Sequence, residues 1–238
     1  MEGLRLFRAR TVPVPTAAGA LILAVVLSAL LAFGASALPG FLTANEPRGR
    51  GLLVVEGWIT RDAVRHAAET FRRGGYAAVV ASGGPVEDPA WRGGYRTYAE
   101  RVGAELRRLG LVEPALAVVP APASAQERTY RSAVSVRQWI ASTGRDVTDI
   151  DVFSQGAHAR RSRELYRMAL GPGVAVGSVS APPSEYTLAR WWQRSAGVKE
   201  VLGESLSYAW TVLWFRPGPR GSEEEIWGVA PSGASARD

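Results

Sequence analysis

Between positions 51 and 215, five short apolar runs alternate with segments of helical periodicity, and this alternation restricts the fold more than any other feature. The runs are Gly51–Trp58 (GLLVVEGW), Tyr76–Pro85 (YAAVVASGGP), Ala115–Pro122 (ALAVVPAP), Ile150–Ser154 (IDVFS) and Val174–Pro182 (VAVGSVSAP). Their centres are continuously apolar, the pattern of strands covered on both faces. Between them Arg61–Arg73, Trp91–Leu109, Ala125–Ser142 and Ala157–Leu170 read as helices, and Ser184–Phe215 as mostly helical. The alternation predicts an α/β fold, Rossmann-like and doubly wound, with a mainly parallel five-stranded sheet.

Such sheets bind ligands in the crevice beyond the carboxyl ends of their strands. That rule selects Glu56–Trp58, Ser82–Gly84, Pro120–Ser124, Ser154–His158 and Ala181–Ser184. Neither GxGxxG nor GxxxxGK[ST] occurs, so no dinucleotide or P-loop cofactor is expected. The glycines of Ser82-Gly83-Gly84 allow a backbone to approach a ligand, although an ordinary strand-exit turn uses the same residues. Ser124 and Glu127 have the spacing of a capping box, and Glu127, Arg128 and Thr129 would start a helix at the crevice.

Ahead of the alternating region, Thr16–Leu38 holds 23 residues without a charge. At 1.5 Å per residue this covers a hydrocarbon core of roughly 30 Å. Arg5, Arg8 and Arg10 precede it against a single Glu2, which by the positive-inside rule keeps residues 1–15 cytoplasmic. The chain then reads as a single-pass protein of the inner or plasma membrane. A linker at 39–50 leads to an extracytoplasmic domain at 51–215 and a Gly-, Pro-, Ser- and Glu-rich tail at 216–238 expected to be disordered. A signal peptide cleaved near Ala35-Ser36-Ala37 is the alternative.

The net charge is +6, yet 27 of the 28 basic residues are arginine and no basic stripe interleaved with aromatics occurs, so a nucleic-acid partner is not expected. Cysteine is absent, which excludes disulfides and thiolate chemistry. With only His66 and His158 and no HExxH motif, no metal site is expected.

The most specific local stretch is Asp151–Tyr166, DVFSQGAHARRSRELY. Ser154 closes a strand, Gly156 allows the turn, and His158 and Arg161 fall within one helical turn of each other. Arg160 is spaced to pair with Glu164. Arg161 shares the inward stripe of Leu165 and Met168 and therefore needs an anionic partner. A Ser154–His158 nucleophile pair is disfavoured, because Val152 stands where the first glycine of a G-x-S-x-G elbow belongs. In the last segment, Val198, Val201, Leu202, Leu206 and Leu213 are spaced to pack on the sheet. Trp210, Trp214 and Phe215 could instead meet a membrane interface.

Taken in order, VVEGW (54–58), ASGGP (81–85), ERTYRSA (127–133), SQGAHARRSR (154–163) and the Trp191, Trp192, Glu204 element resemble the YdcF/SanA/ElyC-like family, grouped as domain of unknown function 218. The resemblance covers roughly Gly51 to Trp214. It implies a Rossmann-like domain serving the integrity of the bacterial envelope, through cell-wall or surface-glycan metabolism. By position it implies a crevice of Ser82, Gly83, Gly84, Glu127, Arg128, Thr129, Ser154, His158, Arg161 and Glu204. The combined expectation is an exported domain that binds, and by way of His158 with Glu56 or Glu204 processes, an anionic phosphorylated or lipid-linked glycan. A non-catalytic membrane-tethered regulator or scaffold is the alternative.

Overall fold

In the computed structural model, which describes residues 13–86, 93–124 and 127–227, alternate residues along each central strand enter two separate apolar layers. Leu52 and Val54 of β1 (Arg50–Glu56) join Val80, Ile150 and Val152 on one face, while Leu53 and Val55 join Val79, Ala81 and Phe153 on the other. The remaining strands are β2 (Gly75–Gly83), β3 (Leu116–Pro120), β4 (Asp149–Gln155) and β5 (Ala175–Ala181). Among the described residues they form one sheet in the order β3-β2-β1-β4-β5, every pair parallel. A two-sided core explains the unbroken apolar runs, since neither face of the central strands meets water.

Helices α2 (Arg61–Arg73) and α3 (Tyr98–Arg108) cover the face of Leu53 and Val55 through Val64, Ala67, Val102 and Leu106. Helices α4 (Arg128–Thr143) and α5 (Ala159–Leu170) cover the other face through Tyr130, Ala133, Val134, Leu165 and Tyr166. The strand order therefore reverses between β1 and β4, which makes the carboxyl ends of those two strands the opening of the crevice.

Several boundaries differ from the sequence expectation. Helix α3 starts at Tyr98, where Thr97 and Glu100 form a capping box after a turn at Gly93-Gly94 with positive φ at both residues. Trp91 and Arg92 lie outside the described residues. Helix α4 starts at Arg128 with Glu127 at the N-cap position, and the Ser124–Glu127 capping box does not form, because the Glu127 carboxylate is drawn to Arg161. Arg160 pairs with Glu46 (3.6 Å) and lies over the Phe41 ring, leaving Glu164 to Arg167 (2.9 Å).

The segment at 39–50 is not a free linker. An apolar helix α1 (Ala17–Leu42), 26 residues long and at about 39 Å sufficient to cross a membrane, runs on through Pro39. The chain beyond it is fastened to the domain. Glu46 bridges to Ser178 and accepts from Arg163 Nη1 at 2.6 Å, and the fully buried Asp151 accepts the amides of Arg48 and Gly49 and the Tyr76 hydroxyl at 2.7–2.9 Å. The arginine cluster at 5–10 lies outside the described residues.

Nor is the carboxyl-terminal stretch disordered throughout. From Arg216 the chain turns back to α7 (Glu223–Trp227), where Glu225 is buried and held by Arg137 (2.6 and 2.7 Å), the Tyr130 hydroxyl (3.1 Å) and the Gly221 amide (2.7 Å). A low-complexity composition conceals this, because one buried carboxylate supplies the anchor. Residues 228–238 lie outside the described residues. After a 3₁₀ turn at Leu188–Gln193, α6 (Ser195–Leu213) completes the fold. Of the residues spaced to pack it inward, Val201 is buried, whereas Leu202, Leu206 and Leu213 are exposed; Phe215 is buried against Tyr130 (5.2 Å) instead of facing outward.

Candidate functional site

Glu56 is the last residue of β1 and almost wholly buried. Its two oxygens lie 2.9 and 3.0 Å from the Ser162 hydroxyl, which donates to them from the first turns of α5. Across the crevice β4 ends in a turn that only glycine makes easily: Gly156 has φ 61°, and a Cβ there would lie 2.0 Å from Glu200 Oε1. Glu200 reaches over this glycine to accept the Ala157 amide at 2.8 Å. The turn places His158 at the start of α5, facing back toward β1.

The two ring nitrogens of His158 have different surroundings. Nδ1 lies 2.9 Å from Glu204 Oε1, while Nε2 lies 3.4 Å from Thr129 Oγ1 and 4.0 Å from Glu56 Oε1. Arg161 Nη2 also approaches Nδ1, at 3.0 Å, but a guanidinium only donates and a carboxylate only accepts. The arrangement that satisfies both has Nδ1–H donating to Glu204 while Arg161 Nη2 donates to the same oxygen at 3.2 Å. In the neutral ring Nε2 then carries the lone pair, directed at Thr129 and Glu56. The Trp58 ring stands edge-on to the imidazole at 4.9 Å and fixes its plane.

Arg161 does have anionic partners, and they belong to the protein. Nε donates to Glu204 Oε2 at 2.8 Å and Nη1 to Glu127 Oε2 at 2.7 Å. Burial lowers the guanidinium pKa, but the Glu204 bonds and the charges of Glu204, Glu127 and Glu56 outweigh it and raise it overall. Burial likewise raises the Glu204 carboxyl, yet its hydrogen bonds and charge contacts with His158 and Arg161 hold it down to about 2. This network keeps Glu204 ionised and the imidazole oriented.

These groups open into a cavity of about 500 Å³. Glu56, Ser82, Gly83, Gly84, Glu127, Arg128, Thr129, His158, Arg161 and Glu204 all line it, so the sheet edge brings together ten of the eleven residues singled out in the sequence. Ser154 is the exception. It is fully buried beneath the site, away from the cavity, and its hydroxyl has no hydrogen-bond partner among the described residues. A strand-terminal serine alternates inward like any other strand residue, which removes it as a nucleophile or lining group.

The two glycines at the end of β2, Gly83 and the following Gly84, also differ. A Cβ on Gly83 would lie 2.8 Å from the Tyr98 Cβ, so this glycine admits α3 against the sheet, as does Gly57, whose Cβ would lie 2.5 Å from the Tyr98 carbonyl carbon. Gly84 is open, with nothing closer than 3.8 Å. Sequence reasoning did not single out Glu200, Tyr166, Ser132 or Ser207, which line the same cavity. Glu200 was legible as the residue one helical turn before Glu204 on the same face. Tyr166 was not, because a tyrosine on an inward stripe reads as core; it is fully buried in the wall of the cavity, and burial pushes its pKa far up.

The arrangement supplies an oriented imidazole, a buried carboxylate opposite it, hydroxyls from Thr129, Ser82 and Ser132, and the amino terminus of the 16-residue α4. The Glu127 side chain makes no cap bond to that helix, and its first residues, Arg128 and Thr129, line the cavity, so the positive end of its dipole lies at the crevice. Among the described residues no three His, Asp or Glu side chains are grouped as ligands for a metal ion. No protein-family model, curated protein or solved structure matched the chain.

Proposed function

We propose that this is a bacterial cell-envelope protein of the YdcF/SanA/ElyC-like kind, held in the inner or plasma membrane by α1, whose α/β domain binds and processes a phosphorylated or lipid-linked glycan outside the cytoplasm. The observation that carries the reading is His158 fixed by Glu204 with Nε2 turned to Glu56 and Thr129 inside the cavity. In this reading Nε2 takes the proton of a water or sugar hydroxyl whose oxygen bonds to the ligand's phosphorus, and the bond from phosphorus to the leaving oxygen breaks. The imidazolium, stabilised by Glu204 on one side and Glu56 on the other, returns the proton to that oxygen. Because the protein's own carboxylates occupy Arg161, negative charge on the ligand is met by the positive end of the α4 dipole. The half-exposed Trp58 offers its face to a sugar ring.

The test uses full-length protein in detergent with a short-chain polyprenyl diphosphate disaccharide as probe. Wild type is expected to bind and turn over the probe, and His158→Ala to lose turnover by about 100-fold or more with its melting transition retained. Undiminished turnover in His158→Ala removes His158 from the chemistry. Binding without turnover in both proteins favours the regulator or scaffold instead.

A further inference from the structure

A second cavity, of about 370 Å³, opens beside the first at the carboxyl edge of the sheet. Trp58, Tyr98 and Glu200 line both, so the two are neighbours across a wall of three side chains. Gly57 and Gly83 let the start of α3 close on β1 and β2, and this brings Tyr98 into that wall. The first cavity reaches the start of α4, which covers one face of the sheet. The second reaches Thr60 at the start of α2, which covers the other. The half-exposed Trp58 belongs to both, with its ring 4.9 Å from the His158 imidazole.

The two cavities differ in charge. Arg128 and Arg161 line the first, whereas among the described residues no arginine or lysine lines the second, and Glu185 and Glu200 do. Helices α2 and α3 begin at its wall but bond first-turn amides to their own caps, Ala63 to Thr60 Oγ1 at 3.3 Å and Glu100 to Thr97 Oγ1 at 3.1 Å. The start of α6 at Ala196 adds about half a positive charge, which two carboxylates exceed. An anion is therefore disfavoured there. Hydroxyls are not. Gln155 is fixed by two bonds, Oε1 accepting the Thr60 amide at 3.1 Å and Nε2 donating to the Pro182 carbonyl at 3.0 Å, which leaves one N–H to give. Glu200 accepts the Ala157 amide through Oε1 at 2.8 Å, and a carboxylate has further lone pairs for a hydroxyl donor. With the aromatic surface of Trp58 and Tyr98, this is a lining for an uncharged, polyhydroxylated ring.

We propose that the second cavity is a subsite for an uncharged sugar ring, so that a ligand bound at His158 passes Trp58 and ends there. The inference rests on the glycan reading of the first cavity and deepens it. The preferred ligand carries at least two sugar rings, and the outer one is neutral.

The test uses full-length protein in detergent and short-chain polyprenyl diphosphate analogues with non-cleavable phosphonate linkages, carrying one or two neutral sugars. Affinity is read by calorimetry. Wild type is expected to bind the disaccharide probe about tenfold or more tighter than the monosaccharide probe, the worth of one ring packed on aromatic surface. Ala196→Phe places a ring in the second cavity at a position outside the lining of the first. It is expected to remove the gain and to leave the monosaccharide affinity within about twofold. Ser184→Trp, at an exposed position of the same cavity, takes its place if Ala196→Phe loses its melting transition. A phosphate on the outer ring of the disaccharide probe is expected to cancel the gain as well. Wild type that binds the two neutral probes equally overturns the subsite alone, and so does a gain that survives filling of the cavity. An undiminished gain from the phosphorylated ring overturns its neutrality. Wild type that binds neither neutral probe overturns the glycan reading and the subsite with it.

Discussion

The two ring nitrogens of His158 are unlike: one is bonded to the Glu204 carboxylate, which Arg161 also holds, and the other lies toward Thr129 and Glu56. Glu204 is therefore the residue on which the site's pH behaviour turns. Its folded pKa, about 2, lies below the ordinary 4.5, so the ionised form is favoured by folding. The stabilisation is fully present above 4.5 and is lost as pH falls toward 2. A shift of this size corresponds to something on the order of 3 kcal/mol. Urea unfolding across that window is expected to show wild type losing most of this stability and Glu204→Gln, which has no carboxyl to titrate, losing far less. Equal acid sensitivity in both proteins would show that other carboxyls set the limb. The residue scale also exposes where single-residue reading stops. Arg161 needs an anion by its position on an inward stripe, but only the packing of α4 and α6 reveals that Glu127 and Glu204 supply it.

At the scale of elements, the last helix is held by one buried carboxylate. Burial raises the Glu225 pKa, while the Arg137 bonds and the Gly221 amide outweigh it and lower it overall. Replacing Glu225 by Gln leaves Arg137 and its neighbours without their anion in a largely buried setting, which costs about 3 kcal/mol. The measurement is the urea midpoint at neutral pH with the slope unchanged; a loss below about 0.5 kcal/mol would mean that the segment from Arg216 to Trp227 adds nothing to the domain. The strands and helices themselves were largely legible, since a continuous apolar run bounded by glycine has few alternatives to a buried strand. Their ends were less so. Helix α3 begins where Thr97 can cap it, and α4 begins where Glu127 is pulled toward Arg161, and neither is a property of local periodicity.

For the molecule as a whole, the reading of an anchored domain outside the cytoplasm predicts that alkaline phosphatase fused after Asp238 is active in cells and that a cytoplasmic reporter at the same junction is silent. The reverse pattern would put the cavity in the cytoplasm and exclude an extracytoplasmic ligand. The domain keeps the stretch after α1 tied to the sheet through Asp149, Asp151, Arg160 and Arg163, so the chain between the apolar helix and β1 has little freedom.

By itself the sequence determined the α/β class, the parallel sheet, the long apolar helix and the strand ends where a site would form. These depend on periodicity and on the absence of charge, which are local and survive without knowledge of partners. Only the tertiary structure decided that Ser154 is buried beneath the site, that Arg161 is already satisfied, that Glu204 orients His158, and that Leu206 and Leu213 face outward while Phe215 faces inward. Each of those depends on which distant element meets a side chain. His158 and Glu204 are separated by 46 positions in the chain yet lie in hydrogen-bond contact, and no spacing rule spans that interval.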